Sequence, residues 1–409
     1  MISHLGTFDV ENYGDLLYPI VFRRLVGKRD ESLKIRHYSP VPGDAPQEAG
    51  FETHPAQSLF EPSAGPCTLV VGGGDLLRTD WDVVASHYGR NSRVAYSGLR
   101  HSIGMVNAFG YLLRDNIPRW EPAGFFVDRF RARWMNYSAV GPFLIDSDNL
   151  PQGSLVSYIS CGVPHDFTPL ERDRVRCTLD RARSIYLRDE QSAEKLRQAG
   201  MRHELRVAPD LTVILSDQFD GDQQARRGRG ILSVLGVDGD RPLLCFQCKP
   251  YPDFDEEKIV RQLMRYRERT AAQVVLLPTG YCHGDHEFLQ NVSRQSGGAL
   301  KYASVYSIFD VMGIIAASDL VVGTSLHANV TALSFGIPHL FGPLPVAKAD
   351  GCLSVMNLPP ELKLRSWNEI NDRIDMVVEL GRDFFSERAM EAKAKVYQVI
   401  DEVLDDLLN

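Results

Sequence analysis

Side chains that can bind anions or move protons stand where the sequence changes from an apolar strand to a helix. His327 is the best placed of them, because it follows a β-branched run at residues 320–322 and opens a predicted helix. Thr324 and Ser325 precede it as candidate helix caps, and Leu326 completes the turn. Unpaired backbone N–H groups and the helix dipole favour an anion at such a helix start. A single histidine there is nevertheless more often a structural hydrogen-bonding residue than a catalyst.

Arg188 offers a planar cation at another predicted strand end. It follows the strand expected at residues 184–187, and the helix expected at residues 190–199 begins just after Asp189. A guanidinium group matches the geometry of carboxylate and phosphate, so Arg188 is a candidate anion-binding residue. The alternative is an ion pair with Asp189 or with another nearby carboxylate.

The loop after the first predicted strand, residues 2–5, combines small and polar residues. Asn12, Gly14 and Asp15 lead into a helix expected at residues 16–26. Open α/β sheets bind ligands at the carboxyl ends of their strands, so this loop is a candidate binding loop, although a plain turn would have the same residues. Asp15 is a candidate general base, and the more common role for an aspartate in this position is to cap the helix.

Three consecutive glycines follow the strand expected at residues 67–71. Gly73 and Gly74 would allow a ligand or a backbone to approach closely, and Asp75 stands directly after them. The run lacks the G-x-G-x-x-G pattern, and tight packing between a strand and a helix explains it about as well as a ligand does. Asp75 is a second candidate base and also a candidate helix cap.

Two further strand ends are candidates of lower rank. His165 follows a strand expected at residues 154–161, and Thr279 follows one expected at residues 273–278. Both would reach the same edge of their sheets as the residues above. A polar loop without a ligand is the favoured interpretation for Thr279.

Composition excludes several classes of protein. The chain has 409 residues with 44% hydrophobic and 24% charged residues, typical of a globular protein with a sizeable core. Its net charge of −8 argues against a nucleic-acid binder. No apolar run is long enough to span a bilayer, and the first residues do not resemble a signal peptide. The seven scattered cysteines predict a reduced, cytoplasmic setting.

A metal site is disfavoured, although two cysteines have zinc-like spacing. Cys245 and Cys248 fall in or beside an apolar strand, where residues three apart point to opposite faces. They are expected to pack as small hydrophobic residues.

The alternation of strands and helices predicts two doubly wound α/β domains. We expect a first domain at residues 1–216, a polar linker at 217–229, a second domain at 230–365, and a helical segment at 366–409 that packs back across both domains. Residues 76–150 show no clean periodicity. They would suit an insertion that covers a cleft and meets a substrate, or irregular structure without a role.

Taken together, four motifs resemble the polysaccharide pyruvyl transferase family. Each is weak alone, but their order and spacing extend the resemblance from about residue 6 to about residue 345. The motifs are Asn12-x-Gly14-Asp15, Gly72-Gly73-Gly74, Arg188-Asp189 followed by Gln191-Ser192, and Gly323-x-x-Leu326-His327 closed by Gly336-Ile337-Pro338.

The resemblance implies two Rossmann-like domains that face each other across a cleft, as in GT-B glycosyltransferases, with the acceptor on the first domain and the donor on the second. The implied activity transfers the pyruvyl group of phosphoenolpyruvate to two hydroxyls of a sugar, giving a cyclic ketal and phosphate. The implied partners are therefore this donor and an oligosaccharide or lipid-linked glycan, with the enzyme at most peripheral to the membrane. No cofactor or metal is implied.

This chain departs from the family at one position of the last motif. Many members carry an arginine two residues before the histidine, and here that residue is Ser325. The departure removes one expected cation from the donor site. It points to a divergent donor, a different cation or lost activity. Two alternatives stay open beside the family's reaction: a GT-B glycosyltransferase whose cleft and helix start hold a nucleotide sugar, and a binding protein that has lost the chemistry.

Overall fold

The computed structural model of the chain describes residues 1–8, 10–40, 50–77, 79, 141–251, 254–305, 307–344 and 348–408. The interpretation of residues 76–150 as a substrate-covering insertion therefore falls largely outside the described residues.

Within these residues, the strands form two parallel sheets. Their bounds are β1 (Ile2–Leu5), β2 (Ile35–Ser39), β3 (Thr53–Pro55), β4 (Thr68–Gly74), β5 (Leu155–Cys161), β6 (Ser184–Leu187), β7 (Arg206–Val207), β8 (Leu243–Gln247), β9 (Gln273–Leu276), β10 (Lys301–Tyr302), β11 (Leu320–Gly323) and β12 (His339–Phe341). The first sheet has the order β3-β2-β1-β4-β5-β6-β7, and the second has the order β10-β9-β8-β11-β12. Most of the central strands are buried along their whole length, which fits their apolar sequences.

Helices connect and cover these strands. The α-helices are α1 (Tyr13–Arg29), α2 (Pro169–Leu179), α3 (Glu190–Gln198), α4 (Leu215–Gln218), α5 (Gly221–Val234), α6 (Glu256–Thr270), α7 (Asp285–Gln295), α8 (Ile308–Ala316), α9 (Leu326–Ser334), α10 (Lys348–Val355) and α11 (Ile370–Leu408). Short 3-10 helices lie at Ala56–Phe60, Pro62–Ala64, Ser147–Asn149, Leu211–Ile214, Tyr281–His283, Pro360–Leu362 and Trp367–Glu369.

Each sheet reverses its strand order at one point, between β1 and β4 in the first sheet and between β8 and β11 in the second. In open α/β sheets, ligands bind beyond the carboxyl ends of the strands at this switch point. The loop that enters α1 leaves β1, and the loop that enters α9 leaves β11. The fold therefore brings these two loops to the positions where a ligand is expected.

The unit around α9 has the predicted strand–helix–strand order. The Ser325 hydroxyl accepts a hydrogen bond from the backbone N–H of Ala328 (3.3 Å) and caps the helix. Gly336 ends it with a φ of 66°, which a residue with a side chain adopts only at a cost. The chain then re-enters the sheet as β12, next to β11.

The start of α1 corrects one prediction. The helix begins at Tyr13, and the Asn12 side chain is its cap, accepting a hydrogen bond from the backbone N–H of Gly14 (3.3 Å). Asp15 therefore lies inside the first turn and does not cap the helix. Asn12 has the extended backbone that a capping residue requires, and a carboxylate in the first turn still gains from the helix dipole.

Residues 217–229, expected to be a polar linker, are mainly helical and packed. They include the end of α4 and much of α5, which has a buried face against α8. At the crossing of α5 and α8, Gly228 lies against the carbonyl of Gly313. Except for the buried Gln224, the polar residues of α5 that suggested a linker occupy its exposed face.

The last helix, α11, packs across both sheets as the sequence predicted. Its first part meets the second sheet's layer, where Arg269 pairs with Asp375 (2.7 Å). Beyond a non-helical residue at Gly381, its second part meets the first sheet's layer, where Arg206 pairs with Glu402 (3.0 Å). Among the described residues, no helix combines the length and the apolar character needed to cross a bilayer.

The crossing of α5 and α8 gives a matched test of the packing. We expect Gly228→Ala to lower the free energy of unfolding by about 1–3 kcal/mol, because its methyl group would stand 2.0 Å from the Gly313 carbonyl oxygen. Gly230→Ala, on the same helix with open space around it, should raise stability by up to about 1 kcal/mol. Urea unfolding of both variants measures the difference, and equal stabilities would show that the close crossing is absent.

Candidate active site

The loop that enters α1 touches the second sheet's layer directly. The Tyr13 backbone N–H donates to the Thr279 carbonyl (2.8 Å), and Asn12 forms an isolated antiparallel bridge with Gly280. The Tyr13 hydroxyl lies 2.9 Å from the Thr331 hydroxyl on α9. These contacts fix the position of α1 relative to α9, and so the distance between Asp15 and His327.

The polar residues just before α9 form local hydrogen bonds. The Thr324 hydroxyl accepts from the backbone N–H of Lys249 (2.8 Å), and the Ser325 backbone N–H donates to the Gln247 side chain (2.7 Å). The Leu326 side chain lies in the hydrophobic core. Of these predicted binding residues, Thr324 and Ser325 therefore shape the helix start, and Leu326 anchors it.

His327 reaches from α9 to side chains of the first sheet's layer. Its Nε2 lies 3.2 Å from the Tyr18 hydroxyl and 3.6 Å from Oδ2 of Asp210. The Tyr18 hydroxyl also donates to Asp210. Gly14 stands beside the ring, and a Cβ at that position would be 1.9 Å from Nδ1. Only glycine at position 14 leaves room for the histidine.

Arg188 is almost fully buried, with 4% of its side chain exposed, among three carboxylates. It donates a hydrogen bond to Asp75. It also lies 3.8 Å from Asp189 and 4.0 Å from Asp210. Asp189 is held in place because it caps α3, accepting from the Ser192 backbone N–H (2.7 Å). The ion pair considered from the sequence is present, and its hydrogen-bonded partner is Asp75 and not Asp189.

Asp15 and Asp75 lie near each other, but their pKa values shift in opposite directions. Burial raises the pKa of Asp15 to about 6, although the charge of His327 and the hydrogen bond from Asn12 act in the opposite direction. Burial alone would raise the pKa of Asp75, but the charges of Arg188 and other nearby cations outweigh it and hold this pKa below its ordinary value. When two neighbouring carboxylates have different pKa values, one can transfer a proton while the other stays ionised.

The glycines after β4 make room for these groups. Gly73 and Gly74 have φ values of 94° and 98°, in the region that favours glycine. A Cβ on Gly73 would lie 2.3 Å from the ring of Tyr18, and one on Gly74 would lie 3.4 Å from Oδ1 of Asp15. Both glycines therefore permit close packing of site residues.

His165 and Thr279 lie at the edges of the site. His165 is exposed, and its charge contributes to the lowered pKa of Asp75, so the two side chains share one sheet edge. Thr279 is buried, and its backbone N–H and hydroxyl both donate to Asp285 (3.3 Å each). Thr279 therefore takes part in a local hydrogen-bond network with Asp285.

Sequence reasoning missed Tyr18, Asp210 and Lys348. Asp210 follows the short strand β7, and the strand-end rule applied to the other candidates would have included it. Lys348 begins α10, and its charge lowers the pKa of Asp75. Tyr18 carries no signal in sequence, because an aromatic residue inside an apolar helix normally indicates core.

The chain matches a known protein family over much of its length. The sequence profile described as "Polysaccharide pyruvyl transferase" matches residues 125–341, slightly more than half of the chain. No curated protein matches the chain in sequence.

Solved structures resemble the fold along nearly the whole chain. A glycosyltransferase from Rickettsia africae has a TM-score of 0.54 at 9% identity, covering 100% of this chain and 98% of its own. A UDP-GlcNAc 2-epimerase from Neisseria meningitidis, bound to UDP-GlcNAc, has a TM-score of 0.54 at 10% identity, covering 99% of each chain. HepE from Anabaena, in complex with UDP and glucose, has a TM-score of 0.51 at 12% identity, with 99% of each chain covered. At these identities the likeness concerns the fold alone, and it confirms the GT-B-like arrangement.

The contact between Gly14 and His327 can be tested by stability. We expect Gly14→Ala to lower the free energy of unfolding by about 1–3 kcal/mol, because the added methyl group would displace the His327 ring. Gly27→Ala on the same helix meets open space and should be neutral or stabilising by up to about 1 kcal/mol. Urea unfolding compares the two, and a neutral Gly14→Ala would mean that α1 and α9 are not in contact at this point.

Proposed function

Because this chain belongs to the polysaccharide pyruvyl transferase family, we propose that it transfers the pyruvyl group of phosphoenolpyruvate to two hydroxyls of a sugar in a polysaccharide or glycan precursor. The products would be a cyclic ketal and phosphate. The proposal rests on the cluster of side chains that lies between the two switch points. These are His327, Arg188, Asp15 and Asp75, and the family match covers the first two of them.

The charges of the cluster support an anionic donor. Phosphoenolpyruvate carries a phosphate and a carboxylate, and Arg188 and Lys348 are cations beside Asp75. The backbone N–H groups at the start of α9 add donors next to His327. Asp75 is the most exposed carboxylate around Arg188, with 30% of its side chain accessible. A donor carboxylate or phosphate would take its place on the guanidinium.

The reaction needs one acid and one base. Protonation of C3 of phosphoenolpyruvate creates an oxocarbenium-like centre at C2, and a sugar hydroxyl adds there as it loses its proton. The C–O bond to phosphate then breaks, and the second hydroxyl closes the ring as it loses its proton. The two released protons balance those taken up by C3 and by the leaving phosphate. We assign the acid to His327 and the base to Asp15.

Asp15 fits the role of base because of its environment. With a pKa of about 6, it is ionised at neutral pH and still basic enough to accept a proton from a hydroxyl as the new bond forms. Asp75, with its lowered pKa, stays ionised and keeps Arg188 in place until the donor arrives.

Calorimetric titration with phosphoenolpyruvate tests the donor assignment. We expect saturable binding that weakens roughly 10- to 100-fold in Arg188→Lys, which keeps the charge but loses the planar fork. Arg202 is exposed and lies at the opposite edge of the sheet, so Arg202→Lys serves as the matched control. Binding of UDP- or GDP-hexoses without binding of phosphoenolpyruvate would reject the proposal and favour a glycosyltransferase.

The pH dependence of kcat/KM tests Asp15. Since a base works only when ionised, kcat/KM should fall roughly tenfold for each pH unit below the Asp15 pKa of about 6 in the free protein. The donor phosphate also titrates near pH 6, so the informative comparison is with Asp15→Asn. We expect that variant to lose activity by about 100-fold or more and to lack this limb in its residual rate. A residual profile identical to that of the wild type would exclude Asp15 as the base.

A further inference from the structure

One buried carboxylate serves both the fold and the site histidine. Asp210 follows β7, and only 2% of its side chain is exposed. Its Oδ1 accepts from the backbone N–H (3.0 Å) and the hydroxyl (2.6 Å) of Thr212, capping the 3-10 helix that follows. Its Oδ2 accepts a hydrogen bond from the Tyr18 hydroxyl and lies 3.6 Å from Nε2 of His327. The two oxygens therefore have separate partners.

Asp210 is ionised in this setting. Burial alone would raise its pKa, but the nearby His327 and the charge of Arg188 hold the pKa below its ordinary value. A buried carboxylate without such partners would be strongly unfavourable. The negative charge of Asp210 thus faces the Nε2 side of the histidine ring.

The single hydroxyl hydrogen of Tyr18 determines the tautomer of His327. Because this hydrogen is donated to Asp210, the Tyr18 oxygen can only accept from the histidine, whose Nε2 is 3.2 Å away. The neutral ring therefore carries its hydrogen on Nε2. Nδ1 forms no hydrogen bond with any residue in the described part of the chain. It is the nitrogen left for a substrate.

We propose that Asp210 and Tyr18 are positioning residues that hold the Nε2–H of His327, so that Nδ1 is the atom that exchanges a proton with the substrate. This inference rests on the proposed function for the identity of that substrate. The carboxylate stabilises the imidazolium through Tyr18 before transfer, and the tyrosine fixes the ring orientation, as second partners of catalytic histidines do elsewhere.

The proton-transfer step is then defined at each atom. The Nδ1–H of the imidazolium gives its proton to C3 of phosphoenolpyruvate, and the π electrons of the C2–C3 double bond form the new C–H bond. C2 becomes the oxocarbenium-like centre. His327 remains as the neutral ring with its hydrogen on Nε2, which is the form that Tyr18 and Asp210 hold.

Nitrogen NMR of the free protein tests the tautomer without any substrate. The protein is labelled with ¹⁵N-histidine, and the His327 signals among the eleven histidines are identified by their loss in His327→Gln. At pH 8.5 we expect a protonated Nε2 and an unprotonated Nδ1 in the wild type and a mixture of tautomers in Tyr18→Phe. A protonated Nδ1 in the wild type would overturn the inference, whether or not the protein binds phosphoenolpyruvate.

Kinetics separate positioning from a structural role. Tyr18→Phe and Asp210→Asn should lower kcat roughly 10- to 1000-fold, which is no more than general acid catalysis contributes. The Kd for phosphoenolpyruvate should change less than about threefold, because neither residue binds the donor. Thr212→Val, which removes only a partner of Oδ1, should keep kcat within about threefold of the wild type. In a protein that already carries His327→Ala, Tyr18→Phe should cause no further loss of activity, because Tyr18 acts through the His327 ring.

Two kinetic results would reject the positioning role. One is a loss in Thr212→Val equal to that in Asp210→Asn, which would assign the effect of Asp210 to the fold. The other is a full further loss from Tyr18→Phe in the His327→Ala background. Absence of any phosphoenolpyruvate binding would instead reject the proposed function, and the tautomer measurement would still decide the positioning of His327.

Discussion

The cost of burying charge between two sheets governs this structure. Asp210 and Arg188 are both nearly inaccessible to water, and each ion would destabilise the fold if it stood alone. Arg188 persists because three carboxylates surround it, and Asp210 persists because it also has partners from both layers, Tyr18 from α1 and His327 from α9. The ionisation of the site residues therefore depends on the position of one sheet relative to the other. Any movement of α9 away from α1 leaves a buried carboxylate with fewer partners.

Glycine makes this crowding possible. Two glycines of the candidate binding loops have a packing role: Gly73 admits the Tyr18 ring, and Gly14 admits the His327 ring. Gly162 has the same function for the Arg188 guanidinium, since a Cβ there would lie 2.7 Å from its Nε. Side chains of this size can meet at a strand edge only where the backbone opposite them has no Cβ.

Local order was readable from the sequence, and long-range pairing was not. Ile2–Leu5 and Ser184–Leu187 have the bounds that their apolar patterns predict. The cap of α1 was misassigned because Asn12 and Asp15 are equally good capping residues by type, and only the backbone geometry separates them. The bond between Tyr18 and Asp210 joins residues 192 apart, and no periodicity reports such a pair. The helix α5 was misread because polar residues cover its exposed face.

The arrangement around Arg188 gives the proposed reaction an order of events. An anionic donor must compete with Asp75 for the guanidinium, because the other two carboxylates near it are held by the helix they cap and by burial. The negative charge of Asp75 already raises the pKa of Asp15. Once separated from Arg188, Asp75 would be less neutralised, and its repulsion of the Asp15 carboxylate would grow. On the proposed mechanism, donor binding would therefore strengthen the base that the acceptor hydroxyl then needs, which places the donor before the acceptor.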